Sequence, residues 1–313
     1  MSRIVAVTGG AGQLGREFGR LLAQYGVEHH LLDLPDFDLT RHAEMAREIA
    51  RRGPDLVIHA AAFTKVDACE TEKKTAFAVN GEATAALAGF CRRAGIPIVY
   101  ISTDFVFDGA KREPYRTDDE PNPLSVYGLS KLAGERGVLD SGAEAWIVRT
   151  AWLYGVHGWN FPRAILRQAA QGTVPRVVTD QVGAPTHAGD LAAAVCALAG
   201  LMPGKAAEPH GVYHFSNRGS CSWWEFARAV LDLSGWLRAA PELEPARITA
   251  AELARPARRP AYSVLDLSRI EAAGIANRPW RDALADFLAE LRTCSPELFP
   301  DHGELKARLI ELN

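Results

Sequence analysis

Short apolar runs alternate with longer amphipathic stretches through the first half of the chain. Residues 4–7, 30–32, 55–59, 97–101 and 145–149 are the runs, and each predicts a strand, the first of them buried. The patterns over 16–25, 40–51, 71–93 and 127–139 predict the helices between them. Such alternation calls for an α/β fold with a doubly wound parallel sheet. After Trp152 the rhythm loosens: helices are expected over 161–172, 188–201 and 281–291, and strands over 176–179 and 211–215. The proline- and arginine-rich stretch 241–260 reads as a loop over a ligand cleft.

Composition narrows the class. The chain has 313 residues, 48% hydrophobic and 23% charged, with a formal net charge of −3. That is ordinary globular composition, long enough for one large domain or two coupled ones. No basic block suggests a nucleic-acid polymer, and no apolar run is long enough to span a bilayer. Five scattered cysteines without a Cys-x-x-Cys pair argue against a disulfide framework and a zinc site, and no metal is expected. Because the first strand begins almost at once, a cytoplasmic protein without a signal peptide is expected.

Several residue groups carry candidate chemistry. Gly9, Gly12 and Gly15 recur every third position between the first strand and helix, with Gln13 and Leu14 among them. A dinucleotide needs such a tight turn, a bare backbone for its pyrophosphate, and the free amides of a helix start. The bland alternative is a glycine-rich turn without a ligand. Asp33 ends the second strand, about twenty residues on, where an acid can bind adenosine ribose hydroxyls. Leu34 follows it and offers no cation to a 2′-phosphate, which favours NADH over NADPH. Asp38 and Leu39 suit the adenine side, unless Asp38 merely caps the next helix. Small residues after the third strand, through Ala62, Phe63 and Thr64, would let a cofactor lie close; tight packing explains them equally well. Asn80, inside a predicted helix, suggests a structural hydrogen-bonding task.

Ser102, Thr103 and Asp104 end the fourth strand, at the edge where open parallel sheets bind ligands. Tyr127 and Lys131 lie four apart, on one face of a predicted helix. An ammonium beside a phenol should lower its pKa and fit Tyr127 for proton exchange. Alone, the Tyr-x-x-x-Lys spacing is common and weak.

In company it is specific. The chain resembles the extended short-chain dehydrogenase/reductase superfamily on Gly9-x-x-Gly12-x-x-Gly15, Thr103 and Tyr127-x-x-x-Lys131. Within it, the chain is similar to the dTDP-4-dehydrorhamnose reductase family. That likeness rests on residues 102–109, 127–135, 149–155, 180–186, 222–226 and 259–266, and on Asn160-Phe161. The resemblance implies a Rossmann-type NAD(P)-binding domain over 1–150, with segments of about 170–220 returning to it, and a smaller, mainly substrate-binding α/β domain over 151–313. It implies reduction of dTDP-6-deoxy-L-lyxo-4-hexulose to dTDP-L-rhamnose by NADH or NADPH. Tyr127 would protonate the C4 oxygen, Lys131 would lower the phenol's pKa and hold the nicotinamide ribose, and Thr103 would orient the carbonyl. Gln13 and Leu14 would face the pyrophosphate. Thr103, Asp104, Val66 and Trp152 would line the sugar pocket, with Asn160, Arg258 and Arg259 as nucleotide-sugar contacts.

Related 4,6-dehydratases carry a glutamate base directly after the Thr-Asp pair. Phe105 stands there in this chain, which favours plain carbonyl reduction. The rivals are reduction of another nucleotide-linked 4-keto sugar, or a non-catalytic NAD(P)-binding subunit like the regulatory subunit of methionine adenosyltransferase. Oligomeric state stays open, a homodimer included. Trp223-Trp224 is read as core before sugar platform, and His157, His187, His210 and His214 as structural or solvent-facing.

Overall fold

A computed structural model describes residues 3–300. Its central sheet has six parallel strands: β1 (Ile4–Thr8), β2 (Glu28–Leu32), β3 (Leu56–His59), β4 (Ile98–Thr103), β5 (Ala145–Thr150) and β6 (Gly211–Phe215). Their order is β6-β5-β4-β3-β1-β2. The winding reverses between β1 and β3, so the loops leaving those strands part and open a crevice at their carboxyl ends.

The longer helices are α1 (Gln13–Gln24), α2 (His42–Arg52), α3 (Ala83–Ala94), α4 (Val126–Ser141), α5 (Phe161–Ala170), α6 (Ala188–Leu198), α7 (Trp223–Ser234) and α8 (Trp280–Cys294); α1 and α6 cover one face of the sheet and α2, α3 and α4 the other. Period-two alternation sends Val5, Val7, Val99 and Ile101 against Phe18 and Leu22 of α1 and Leu191 and Val195 of α6. Ala6, Val57, Ile98 and Tyr100 face the other way, onto Met45 and Ile49 of α2 and Leu87 and Cys91 of α3. Burying each large side chain contributes roughly 1.5–3 kcal/mol, which anchors the loops at the strand ends. Helices α5, α7 and α8 form a separate core through Leu166, Phe226, Val230, Leu284 and Phe287. Among the described residues no helix is long and apolar enough to cross a membrane.

The structure revises three expected elements. The helix over 71–93 is interrupted by a π-helical turn, Ala78–Glu82, which swings Asn80 inward. Asn80 then clasps the Phe63 backbone on both sides, accepting from its N–H at 2.7 Å and donating to its C=O at 3.1 Å. The stretch 241–260 is not all loop: Ala246–Ile248 pairs in parallel with Arg176–Val178, and a one-turn helix, Ala250–Leu253, follows. Asp38 caps no helix. Its carboxylate accepts from the amide and hydroxyl of Thr40, while Arg41 occupies the N-cap of α2.

Candidate active site

A cavity of about 590 Å³ lies over the switch point, within the usual size for a ligand cleft. One end is the turn from β1 to α1. A Cβ on Gly15 would come 2.1 Å from the Gly9 carbonyl, so only glycine permits this approach. The N-cap, Gly12, supplies no side-chain hydrogen bond, which leaves the first amides of α1 facing the cavity. Asp33 stands beside this turn, its Oδ2 accepting from the Ala11 amide and its Oδ1 from that of Leu34, each at 2.8 Å. Both oxygens keep a lone pair for a further donor. Asp38, Leu39, Ala62, Thr64 and Val66 continue the wall.

At the other end β4 delivers Thr103 and Asp104, and α4 delivers Tyr127 and Lys131. Ser125 caps α4 by accepting from the Gly128 amide at 3.2 Å. Gly128 lets the helix start sit against the loop after β4, since a Cβ there would meet the Phe105 carbonyl at 2.2 Å. The Tyr127 ring then rests edge-on to Phe105, centroids 5.4 Å apart. Thr103 accepts from the Phe105 amide at 3.2 Å and donates to Asp104 Oδ1 at 3.0 Å.

The electrostatics differ from the expected phenol–ammonium pairing. Burial raises the Tyr127 pKa well above its usual value; the Thr103 hydroxyl opposes the rise and Asp104 adds to it. Lys131 Nζ donates instead to the Ile101 carbonyl at 2.7 Å and lies 4.2 Å from the centre of the Tyr100 ring. Burial pulls Lys131 down to about 7, with Glu135 pulling the other way. Glu135 forms a buried pair with Arg149 at 2.7 Å and accepts from the Ser102 hydroxyl, which ties α4 to β4 and β5.

Trp152 lines the cavity in a left-handed backbone conformation, φ 47°. Such strain in a bulky residue costs about 1–3 kcal/mol and persists here because the indole is gripped. It stacks on Trp223 at 3.6 Å, and the Gly183 backbone presses close to the indole as well. Trp223 therefore braces the wall from behind.

Four expected contacts lie outside the cavity. Phe63 packs against Cys69 and Tyr127, its backbone held by Asn80. Asn160 caps α5 through its Oδ1, while its Nδ2 donates to Gln13 and to the Gly155 carbonyl. Arg258 is exposed. Arg259 and Arg255 both grip Asp67, at 3.0 and 3.1 Å; burial pushes that carboxyl up, but the two arginines outweigh it and hold it at about 2. Phe37, Phe105, Thr150, Gly158 and Trp159 also line the cavity, and sequence reasoning did not single them out for that role. Trp159 is 65% exposed. Its signal was a tryptophan in a polar loop, one residue before Asn160. Among the described residues no group of three His, Cys, Asp or Glu side chains is placed to hold a metal.

A glycine turn facing a switch-point crevice, with Thr103, Tyr127 and Lys131 at its far end, defines an extended short-chain dehydrogenase/reductase. The model of the RmlD substrate binding domain matches residues 2–293. A dTDP-4-dehydrorhamnose reductase of Streptomyces griseus is 43% identical over 90% of this chain and 91% of its own length. The spore coat polysaccharide biosynthesis protein SpsK of Bacillus subtilis (strain 168) is 41% identical over 91% and 97%. A crystal structure of dTDP-4-dehydrorhamnose reductase from Bacillus anthracis in complex with NADP superposes with a TM-score of 0.84 at 32% identity, covering 93% of this chain and 100% of that one. The chain belongs to the dTDP-4-dehydrorhamnose reductase (RmlD) family.

Proposed function

We propose that this protein reduces dTDP-4-dehydro-L-rhamnose (dTDP-6-deoxy-L-lyxo-4-hexulose) to dTDP-L-rhamnose, using NADH or NADPH. The observation that carries the reading is the gathering of Thr103, Tyr127 and Lys131 on one cavity wall, opposite the glycine turn. The residues fit a dinucleotide. The amides at the start of α1 suit its pyrophosphate, the Asp33 carboxylate suits its adenosine ribose, and Lys131 suits its nicotinamide ribose. When bound, the cofactor supplies a hydride to C4 of the sugar.

The chain's own groups do the rest. Tyr127 gives its proton to the C4 oxygen as negative charge develops there. A high phenol pKa in the free protein keeps that proton in place until the substrate arrives. Lys131 would hold the nicotinamide ribose, and the positive charge it carries when protonated would favour the developing phenolate. Thr103 and Asp104 hold the sugar near the reacting carbon, with Val66 and the braced Trp152 ring walling the pocket. Phe105 supplies no base, so elimination of water has no proton acceptor at that position. Asp33, with Leu34 beside it where a cation would be needed for a 2′-phosphate, favours NADH.

The test is NADH oxidation with enzymatically generated dTDP-4-keto-6-deoxy-L-sugar, repeated with NADPH, with the product identified. Substrate-dependent oxidation yielding dTDP-L-rhamnose is expected. Protein that binds NADH yet oxidises none of it would remove the reading.

A further inference from the structure

Resting on that reading, we propose that Asp104 resupplies the proton that Tyr127 gives up in each turnover, and that the Thr103 hydroxyl relays it. Tyr127 begins each cycle as a phenol and ends it one proton short. Burial makes an unprotonated phenolate costly there, so a nearby donor has to restore it. Asp104 is the buried acid beside it. The residue is 2% exposed and lines the cavity. Its Oδ1 is bonded to the Thr103 hydroxyl at 3.0 Å, whereas its Oδ2, fully buried, has no partner.

A buried carboxylate oxygen without a donor favours the protonated form. Burial pushes Asp104 up to about 6, with the nearby Ser263 and Thr103 hydroxyls restraining the rise. The groups that act on it are the Ser263 and Thr103 hydroxyls and the backbone at Asp104 and Phe105; Asp104 and Cys69 act in turn on the Tyr127 phenol, while Lys131 lines the same cavity with its ammonium on the Ile101 carbonyl.

Thr103 owns one hydroxyl proton. With Asp104 ionised, that proton is committed to Oδ1. With Asp104 protonated, Oδ1–H donates to Thr103 Oγ1 and frees the hydroxyl to turn to Tyr127. The proton balance follows. The Tyr127 O–H bond breaks and its proton goes to the sugar's C4 oxygen. The Thr103 O–H proton then passes to the phenolate, and the Asp104 carboxyl proton passes to Thr103 Oγ1. Asp104 is left as a carboxylate and takes a proton from water once product has gone.

The experiment compares D104N with wild type in three readouts. Asparagine keeps the shape and cannot give up a proton. Steady-state kcat should fall at least tenfold further than the single-turnover rate of NADH oxidation, and acetic acid added at fixed pH should restore part of the loss. Infrared difference titration of wild type against D104N should show a carboxyl that holds its proton up to about pH 6. Equal losses in both kinetic regimes without acid rescue would overturn the relay and leave Asp104 as a sugar contact. A carboxyl titrating in the usual carboxylate range would overturn it as well. If wild type itself fails to oxidise NADH, the functional reading falls and takes the relay with it; that outcome is distinct from wild-type turnover with an unremarkable D104N.

Discussion

Replacing Lys131 with methionine should stabilise the fold while abolishing the reductase. The ammonium is 2% exposed and is drawn from its usual 10.5 down to about 7 by burial. That displacement corresponds to about 5 kcal/mol against the charged form. The Tyr100 face beneath it returns about 2 kcal/mol, and losing the bond to the Ile101 carbonyl costs about 1 kcal/mol. Methionine fills a similar volume, so a net gain of about 2 kcal/mol is expected at pH 6. In a chain of 313 residues this raises Tm by about 3 °C. The sign follows from linkage. The folded pKa lies below the unfolded one, so the penalty is complete below pH 7. It shrinks as pH rises and is gone by about 10.5, where lysine is neutral in both states. Thermal melts of both proteins across pH 6–10 test this. A K131M protein less stable than wild type at pH 6, or a difference that ignores pH, would refute the reasoning.

Y127F should lose at least a thousandfold in kcat while binding NADH nearly as well as wild type, by fluorescence titration; turnover like wild type would end the proton-donor role. D33A should weaken NADH by about tenfold, the size of a lost charged hydrogen bond, and weaken NADPH less, in parallel titrations. G128A drives a Cβ to 2.2 Å from the Phe105 carbonyl, and the forced shift should cost at least about 2 kcal/mol in denaturant unfolding and depress kcat by displacing Tyr127.

Much of this was readable in the sequence because local rules and the global fold agree there. Four of the five strands before residue 150 announce themselves because a parallel sheet buried on both faces needs unbroken apolar runs; β2, at the sheet's edge, buries only Leu32. The glycine turn, Thr103, Tyr127 and Lys131 carry their spacing in the chain itself. What escaped depended on partners far away in sequence. Phe63 turns from the cofactor side because Asn80, on a π turn, seizes its backbone. Asn160 is spent on a helix cap and on Gln13. Arg259 answers to Asp67, and nothing near either residue in sequence signals that pairing. The strand Ala246–Ile248 is three residues long and exists only through Arg176–Val178. The lowered phenol pKa assumed that four-residue spacing brings Lys131 to Tyr127, whereas the ammonium found a carbonyl instead.

The grip of Arg255 and Arg259 on Asp67 bears on the order in which a newly made chain folds. It joins positions 192 residues apart, and closing so long a loop from an open coil costs about 5 kcal/mol. Two partly exposed ion pairs return less than that. The clasp therefore cannot draw the chain together; it fastens what the sheet has already brought near. During synthesis the glycine turn, Thr103 and Tyr127 leave the ribosome long before Arg259 does. An emerging chain can thus assemble its cofactor side early, and the Arg255–Arg259 segment fastens onto Asp67 only after Arg259 has followed.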